Sequence, residues 1–162
     1  MLAAEFAGET GHVLSRDVSE YKTDLIRENL ERMNRTNVEV QVYDATVHDP
    51  EKEGYADVVL MDVPCSGLGV MGKKRDIKYH VTPESLHSIT ELQKQIVEAG
   101  WQYVKPGGIL LYSTCTIHPE ENQKMAVWIT EHFPFVLEEE RQLLPGTEET
   151  DGFYFARLRR KA

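Results

Sequence analysis

Two cysteines, Cys65 and Cys115, and three aspartates, Asp17, Asp44 and Asp62, are the side chains whose setting invites chemistry. Each follows a short apolar run. Val13-Leu14 leads to Ser15-Arg16-Asp17, and Val38-Glu39-Val40-Gln41-Val42 leads to Asp44. Tyr55 to Met61 runs into Asp62-Val63-Pro64-Cys65, and Ile109 to Tyr112 runs into Ser113-Thr114-Cys115-Thr116. In an open α/β sheet, ligands bind beyond the carboxyl ends of the parallel strands, so these residues are expected on one rim. A single Asp there is most simply a loop or cap residue. Three in succession form a stronger pattern, because a carboxylate at a strand end accepts hydrogen bonds from ribose hydroxyls. Asp17 suits that role, Asp44 suits an adenine amino group, and Asp62 lies nearest the reacting centre.

The cysteines are more specific. A lone cysteine is usually a small buried hydrophobe. Here both members of the chain's complement fall just beyond apolar runs, and neighbouring strands would bring both thiols into one crevice. Zinc is not expected, since Cys65 has no close Cys or His partner, although His118 lies near Cys115. Pro119-Glu120-Glu121 predicts a helix start, whose positive end favours a thiolate at Cys115, while the two glutamates oppose it. Together, one thiol can act as a covalent nucleophile and the other can bind or move a proton. Position alone leaves open which does which.

The elements that must hold these groups alternate between strand and helix. Leu25, Ile26, Leu30 and Met33 recur at helical spacing from Ser19, a candidate N-cap, to about Asn34. Val38 to Val42 alternates like a half-buried strand, and Tyr55 to Met61 is nearly continuous, as in a central parallel strand. Thr82-Pro83-Glu84 opens a helix with Leu86, Ile89, Leu92, Ile96 and Val104 on its buried stripe. Lys105-Pro106-Gly107-Gly108 stops it and turns into a strand at Ile109. A helix with Met125, Ala126 and Ile129 follows, then closing strands at Phe133 to Leu137 and Gly152 to Leu158, expected as an antiparallel pair. The class is α/β with a mostly parallel sheet.

The chain has 162 residues, 41% of them apolar and 28% charged, which predicts one folded domain and excludes a disordered chain. No apolar run approaches a membrane span and Met1-Leu2-Ala3-Ala4-Glu5 is no signal peptide, so no membrane partner is expected. Two cysteines make no disulfide framework and point to a reducing cytoplasm. With 18 basic and 27 acidic side chains, the net charge of −9 argues against bulk electrostatic capture of nucleic acid.

Pyrimidine chemistry offers a use for two such thiols. Carbon 5 of cytosine is too weak a nucleophile to take a methyl group unaided. Thiolate addition at carbon 6 makes an enamine that attacks an electrophilic methyl; the carbon 5 proton and the enzyme sulfur must then leave. Asp62-Val63-Pro64-Cys65-Ser66-Gly67-Leu68-Gly69-Val70, Lys105-Pro106-Gly107-Gly108 and Ser113-Thr114-Cys115-Thr116-Ile117-His118-Pro119-Glu120-Glu121-Asn122 resemble the Sun-type RNA (cytosine-5) methyltransferases. Asp151 to Leu158 is similar to that family's last core strand, and the likeness covers nearly the whole chain. The resemblance implies a Rossmann-like methyltransferase fold, S-adenosylmethionine as cofactor and RNA as partner, namely small-subunit ribosomal RNA. It implies Cys115 as nucleophile, Cys65 as the residue assisting release, and Asp17, Asp44 and Asp62 as cofactor-binding residues. Lys73, Lys74, Arg75 and Lys78 would grip phosphates around a flipped-out base, with Tyr79 and His80 to stack. Arg157, Arg159, Arg160 and Lys161 form a second basic cluster.

The chain also departs from the family. Arg75 stands where relatives often carry proline. A Pro-Gly-Gly-Lys-like cofactor loop and the core strand before it are absent, as is an N-terminal RNA-binding region, and Leu2 to Gly8 resembles the tail of the helix after that loop. Residues 1–162 are therefore expected to form a single truncated catalytic domain, poor in cofactor binding and turnover by itself. The sheet gap would be closed by pairing of the flanking strands or by a second copy, since an open edge is costly. The alternative is a non-catalytic RNA-binding or assembly module that keeps the cysteines. Methylation of an exocyclic nitrogen ranks lower, because it calls for a polar-Pro-Pro-aromatic loop where this chain has Asp62-Val63-Pro64-Cys65.

Overall fold

The computed structural model describes residues 2–8, 10–74, 76–147 and 149–162. The chain divides after Val47 into two units, each taken by itself. The first contains helix α1 (Leu2–Phe6), strand β1 (Val13–Asp17), helix α2 (Glu20–Arg32) and strand β2 (Val38–Val42). β1 and β2 pair in parallel from Val13 opposite Val38 to Asp17 opposite Val42. Ser19 caps α2 as expected, its side chain accepting from the Lys22 amide. Of the apolar stripe expected on α2, Leu30 is buried, whereas Leu25 and Met33 are exposed. Asn37 donates through Nδ2 to the carbonyls of Ala4 and Gly8, each at 3.1 Å, fastening α1 to the approach of β2.

The second unit contains β3 (Ala56–Asp62), α3 (Pro83–Gly100), β4 (Val104–Thr114), α4 (Gln123–His132), β5 (Phe135–Leu143) and β6 (Phe153–Arg160). Its strands lie in the order β3-β4-β6-β5. β3 and β4 are parallel, while β6 runs antiparallel to both β4 and β5, which bears out the expected closing pair. The core joins Met61 of β3, Val97 of α3, Leu110 and Tyr112 of β4, Ile129 of α4, Phe135 of β5 and Leu158 of β6. α3 starts at a reciprocal cap: the Thr82 side chain accepts from the Ser85 amide, and Ser85 Oγ accepts from the Thr82 amide.

Several boundaries differ from the sequence reading. A 3-10 turn at Trp101–Tyr103 ends α3, so Val104 opens β4 and is not on the helix stripe. Lys105-Pro106-Gly107-Gly108 bulges within β4: pairing jumps from Ala56 opposite Val104 to Val58 opposite Ile109, and Gly107 takes φ +77°. α4 begins at Gln123, not at Pro119, because residues 119–122 form turns. β3 is an edge strand of its sheet and not a central one. Its alternation sends Met61 and Val59 to the core and leaves Val58 and Leu60 more than half exposed. Among the described residues β1 and β3 belong to separate sheets, so the first of the two expected ways of closing the gap, pairing of the flanking strands, is not seen.

Candidate functional site

The parallel register of β3 and β4 sets Asp62 opposite Ser113. Ser113 Oγ donates to Asp62 Oδ1 at 3.3 Å, and the Val63 amide donates to the Ser113 carbonyl at 3.2 Å. Beyond this last rung the two chains part into loops, and each loop carries a cysteine. The Cys65 and Cys115 sulfurs stand 3.1 Å apart, both thiols free and half-buried. Burial first, and the hydrogen bond with Cys115 second, push the Cys65 thiol up to about 12. At neutral pH it keeps its proton and can offer it to its neighbour.

Beneath the sulfurs lies a buried polar network that the sequence reading did not single out. The Glu121 carboxylate is fully buried. Its Oε2 accepts from the Ser66 amide at 2.9 Å and from Gln93 Nε2 at 3.1 Å, and its Oε1 accepts from Ser66 Oγ at 2.5 Å. Ser66 Oγ also meets Thr116 Oγ1 at 2.8 Å, so the residues after each cysteine touch directly. Gln93 donates in addition to the Pro64 carbonyl at 2.8 Å. Asn122, likewise buried, accepts from Thr114 Oγ1 at 2.6 Å and donates to the Thr116 carbonyl at 3.0 Å. Tyr112, kept neutral by burial, donates to the Glu121 carbonyl at 2.8 Å. Pattern reading finds apolar periodicity, and buried polar side chains in turns have none; the only signal was the crowding of Glu121 and Asn122 close behind Cys115.

Backbone contacts complete the frame. The Gly69 amide donates to the Cys115 carbonyl at 3.1 Å, and the Gly152 amide donates to the Gly69 carbonyl at 2.8 Å. A Cβ on Gly69 would stand 2.2 Å from the Gly152 carbonyl oxygen, so this crossing demands glycine. Gly67, at φ +71°, turns the chain between Cys65 and that crossing.

The structure brings Asp17 and Asp44 together at the carboxyl ends of β1 and β2, where the Tyr43 amide donates to the Asp17 carbonyl at 3.0 Å. Asp17 Oδ1 accepts from the Ser19 amide at 2.8 Å. Asp44 accepts from the Thr46 hydroxyl at 2.7 Å and amide at 2.9 Å, which hold its carboxyl below the usual range. Asp62 lies in the other unit, exposed beside the cysteine loops. Of the first basic cluster, Lys74 and Lys78 are exposed, Lys78 over the Tyr79 ring, while Lys73 pairs with Asp151 at 2.6 Å. Arg75 lies outside the described residues. The second cluster is not an open basic face. Arg157 and Arg159 both pair with Glu138, and Arg160 stacks on Trp101 and donates to the Val104 carbonyl at 2.5 Å. Cross-strand register sets these arginines beside carboxylates of β5, which linear crowding does not reveal.

The second unit thus presents a dithiol at the ends of two parallel strands, and the first presents a pair of strand-end carboxylates. A model described as 16S rRNA methyltransferase RsmB/F matches residues 1–159. A ribosomal RNA small subunit methyltransferase B from Yersinia enterocolitica is 37% identical over 91% of this chain. The chain spans 36% of that relative's length. Among solved structures, a methyltransferase homolog protein from Pyrococcus horikoshii is 28% identical with a TM-score of 0.75, over 93% of this chain and 53% of its own. NSun6 from Pyrococcus horikoshii, solved with SFG, shares the fold at a TM-score of 0.84 and 24% identity, over 99% of this chain and 44% of its own. The fold is therefore the Rossmann-like one of S-adenosylmethionine-dependent methyltransferases, a mixed sheet with parallel strands and an antiparallel end. The chain belongs to the 16S rRNA methyltransferase RsmB/F family.

Proposed function

We propose that this chain forms most of the catalytic domain of an enzyme that methylates carbon 5 of a cytosine in small-subunit ribosomal RNA. The dithiol carries the reading: two sulfurs 3.1 Å apart at the ends of adjacent parallel strands. The family resemblance makes Cys115 the nucleophile, and Cys65, whose thiol burial keeps protonated, the proton-handling partner. The Cys115 thiolate adds to carbon 6 and the ring electrons move onto carbon 5. S-adenosylmethionine, when bound, supplies the methyl group that carbon 5 takes. Solvent base takes the carbon 5 proton, and that electron pair re-forms the carbon 5–carbon 6 double bond. The carbon–sulfur bond breaks so that Cys115 departs as thiolate, with the Cys65 thiol assisting this release by donating a hydrogen bond to the departing sulfur. Asp17 and Asp44, acceptors at adjacent strand ends, fit a ribose and an adenine amino group, and Asp62 stands beside the cysteine loops for the methionine end or the base. Lys73, Lys74 and Lys78, together with Arg75, hold RNA phosphates near the Cys65 loop.

The test uses a form of the protein that carries a Pro-Gly-Gly-Lys-type loop ahead of β1, incubated with small-subunit ribosomal RNA and S-adenosylmethionine. Cys65→Ala accumulates a covalent protein–RNA adduct on a denaturing gel, and Cys65→Ala with Cys115→Ala accumulates none. A missing adduct in the first variant, or a persistent one in the second, overturns the roles. The reading includes self-association through the edge of β3, seen as a concentration-dependent mass in sedimentation.

A further inference from the structure

Nothing in the mechanism above uses Glu121, yet it is the most heavily engaged buried carboxylate near the sulfurs. It takes no part in a salt bridge among the described residues; its partners are the Ser66 amide, Ser66 Oγ and Gln93 Nε2. Two of these bonds hold the residue next to Cys65, and Gln93 in turn holds the Pro64 carbonyl on the other side of Cys65. Glu121 itself belongs to the turn that follows Cys115, and its own carbonyl is pinned by Tyr112 at 2.8 Å. The carboxylate therefore ties the loop of one cysteine to the loop of the other.

We propose that Glu121 is a positioning residue that fixes the separation of the Cys65 and Cys115 sulfurs. β3 and β4 end their pairing at Asp62 and Ser113, so backbone register stops short of both cysteines. Below the sulfurs the side-chain links are the Ser66–Thr116 contact and the Glu121 bonds, and Ser66 takes part in both. Geometry is what Glu121 contributes. A glutamine at 121 turns its carbonyl to the Ser66 amide and Gln93, and its amide to Ser66 Oγ, whose proton then goes to Thr116 Oγ1. Leucine offers no acceptor and leaves the Ser66 and Gln93 donors unmatched, so the loop moves to find water. In the methyl-transfer reading, this tie keeps Cys65 within reach of an adduct on Cys115; that consequence rests on the proposed function, whereas the tie itself does not.

The experiment needs neither RNA nor cofactor, so it fails or succeeds independently of the adduct test. Phenylarsine oxide condenses with a pair of close thiols: two arsenic–sulfur bonds form, and the oxide oxygen leaves with both thiol protons as water. The chain contains no cysteine besides Cys65 and Cys115, so the arsenical reports this pair alone. Its hold is read as the concentration of a competing dimercaptan that removes half of it, with melting temperature measured alongside. The dimercaptan concentration falls about tenfold in Glu121→Leu, through loss of effective concentration, and stays within about twofold of the parent in Glu121→Gln. Ser66→Ala, which keeps the amide bond and loses the hydroxyl ones, falls about threefold and serves if Glu121→Leu does not fold. A folded Glu121→Leu, or failing that Ser66→Ala, holding the arsenical as the parent does overturns the proposal, as does a Glu121→Gln as weak as Glu121→Leu.

Discussion

Cys65 illustrates how one side chain's protonation follows from its surroundings. Burial raises its pKa first, and the hydrogen bond to Cys115 raises it further, to about 12 from an ordinary 9.0. Replacing Cys115 with Ala removes the second cause and leaves the first. The Cys65 thiol in Cys115→Ala is expected to titrate below its parental value but still above that of a free cysteine, as read from ultraviolet thiolate absorbance. Stability follows the same sign. A group whose folded pKa lies above its unfolded one contributes stability that is complete below the unfolded value and is lost as pH rises through the folded one. The window here runs from about 9.0 to about 12. Across it the melting temperature of Cys65→Ala falls less steeply than that of the parent; equal slopes would contradict the account. The rise of the Cys65 pKa was not legible in the sequence, because burial and the partner thiol that cause it come from residues distant in the chain. The expected helix start at Pro119 gave Cys115 a supporting dipole, but α4 begins at Gln123.

At the scale of elements, the site depends on three loops meeting over the ends of β3 and β4. Gly69 is the crossing point, its amide on the Cys115 carbonyl and its carbonyl accepting from the Gly152 amide. Gly69→Ala sets a methyl against the Gly152 backbone, and neither backbone can yield without breaking one of these bonds. The substitution is expected to cost about 1–3 kcal/mol, as overpacking usually does, measured by urea denaturation. It should also weaken arsenical binding, since the Cys115 loop loses a support; unchanged stability would show the crossing to be soft. Although β5 runs on to Leu143 beyond the expected Leu137, the carboxyl ends of β1 to β4, the Ser19 and Thr82 caps and the antiparallel closing pair were readable, because periodicity and capping are local. The bulge at Lys105 to Gly108 and the crossing at Gly69 were not, because each is defined by a partner far along the chain.

For the whole molecule, charge and cofactor loop set the expectations. The net charge of −9 persists over a surface whose basic residues are largely engaged: Lys73 with Asp151, and Arg157 and Arg159 with Glu138. In the proposed reading the grip on RNA phosphates falls to the segment of Lys73, Lys74 and Lys78, Lys73 exchanging its exposed pairing with Asp151 for phosphate. The residues proposed for the cofactor are carboxylates, which accept hydrogen bonds, and the sequence holds no Pro-Gly-Gly-Lys-type loop to supply backbone amides to an anionic group. The 162 residues alone are therefore expected to bind S-adenosylmethionine more weakly than about 1 mM by calorimetry, the range left to a site with few contacts. Micromolar binding would overturn that expectation.

The sequence by itself determined the fold class, the order of elements and the residues at the carboxyl ends of the strands. Alternation of apolar runs with helical stripes is written locally, and the rim of a parallel sheet follows from that order. It also set each of the two cysteines just beyond an apolar run. Only the tertiary structure decided how those cysteines relate: 3.1 Å between sulfurs, Cys65 held neutral, and Glu121 fastened between their loops. It likewise paired the C-terminal arginines with Glu138 and made β3 an edge. The reason is common to all of these. Burial, hydrogen-bond partners and strand register are properties of residues distant in the chain, and they exist only once the strands have paired.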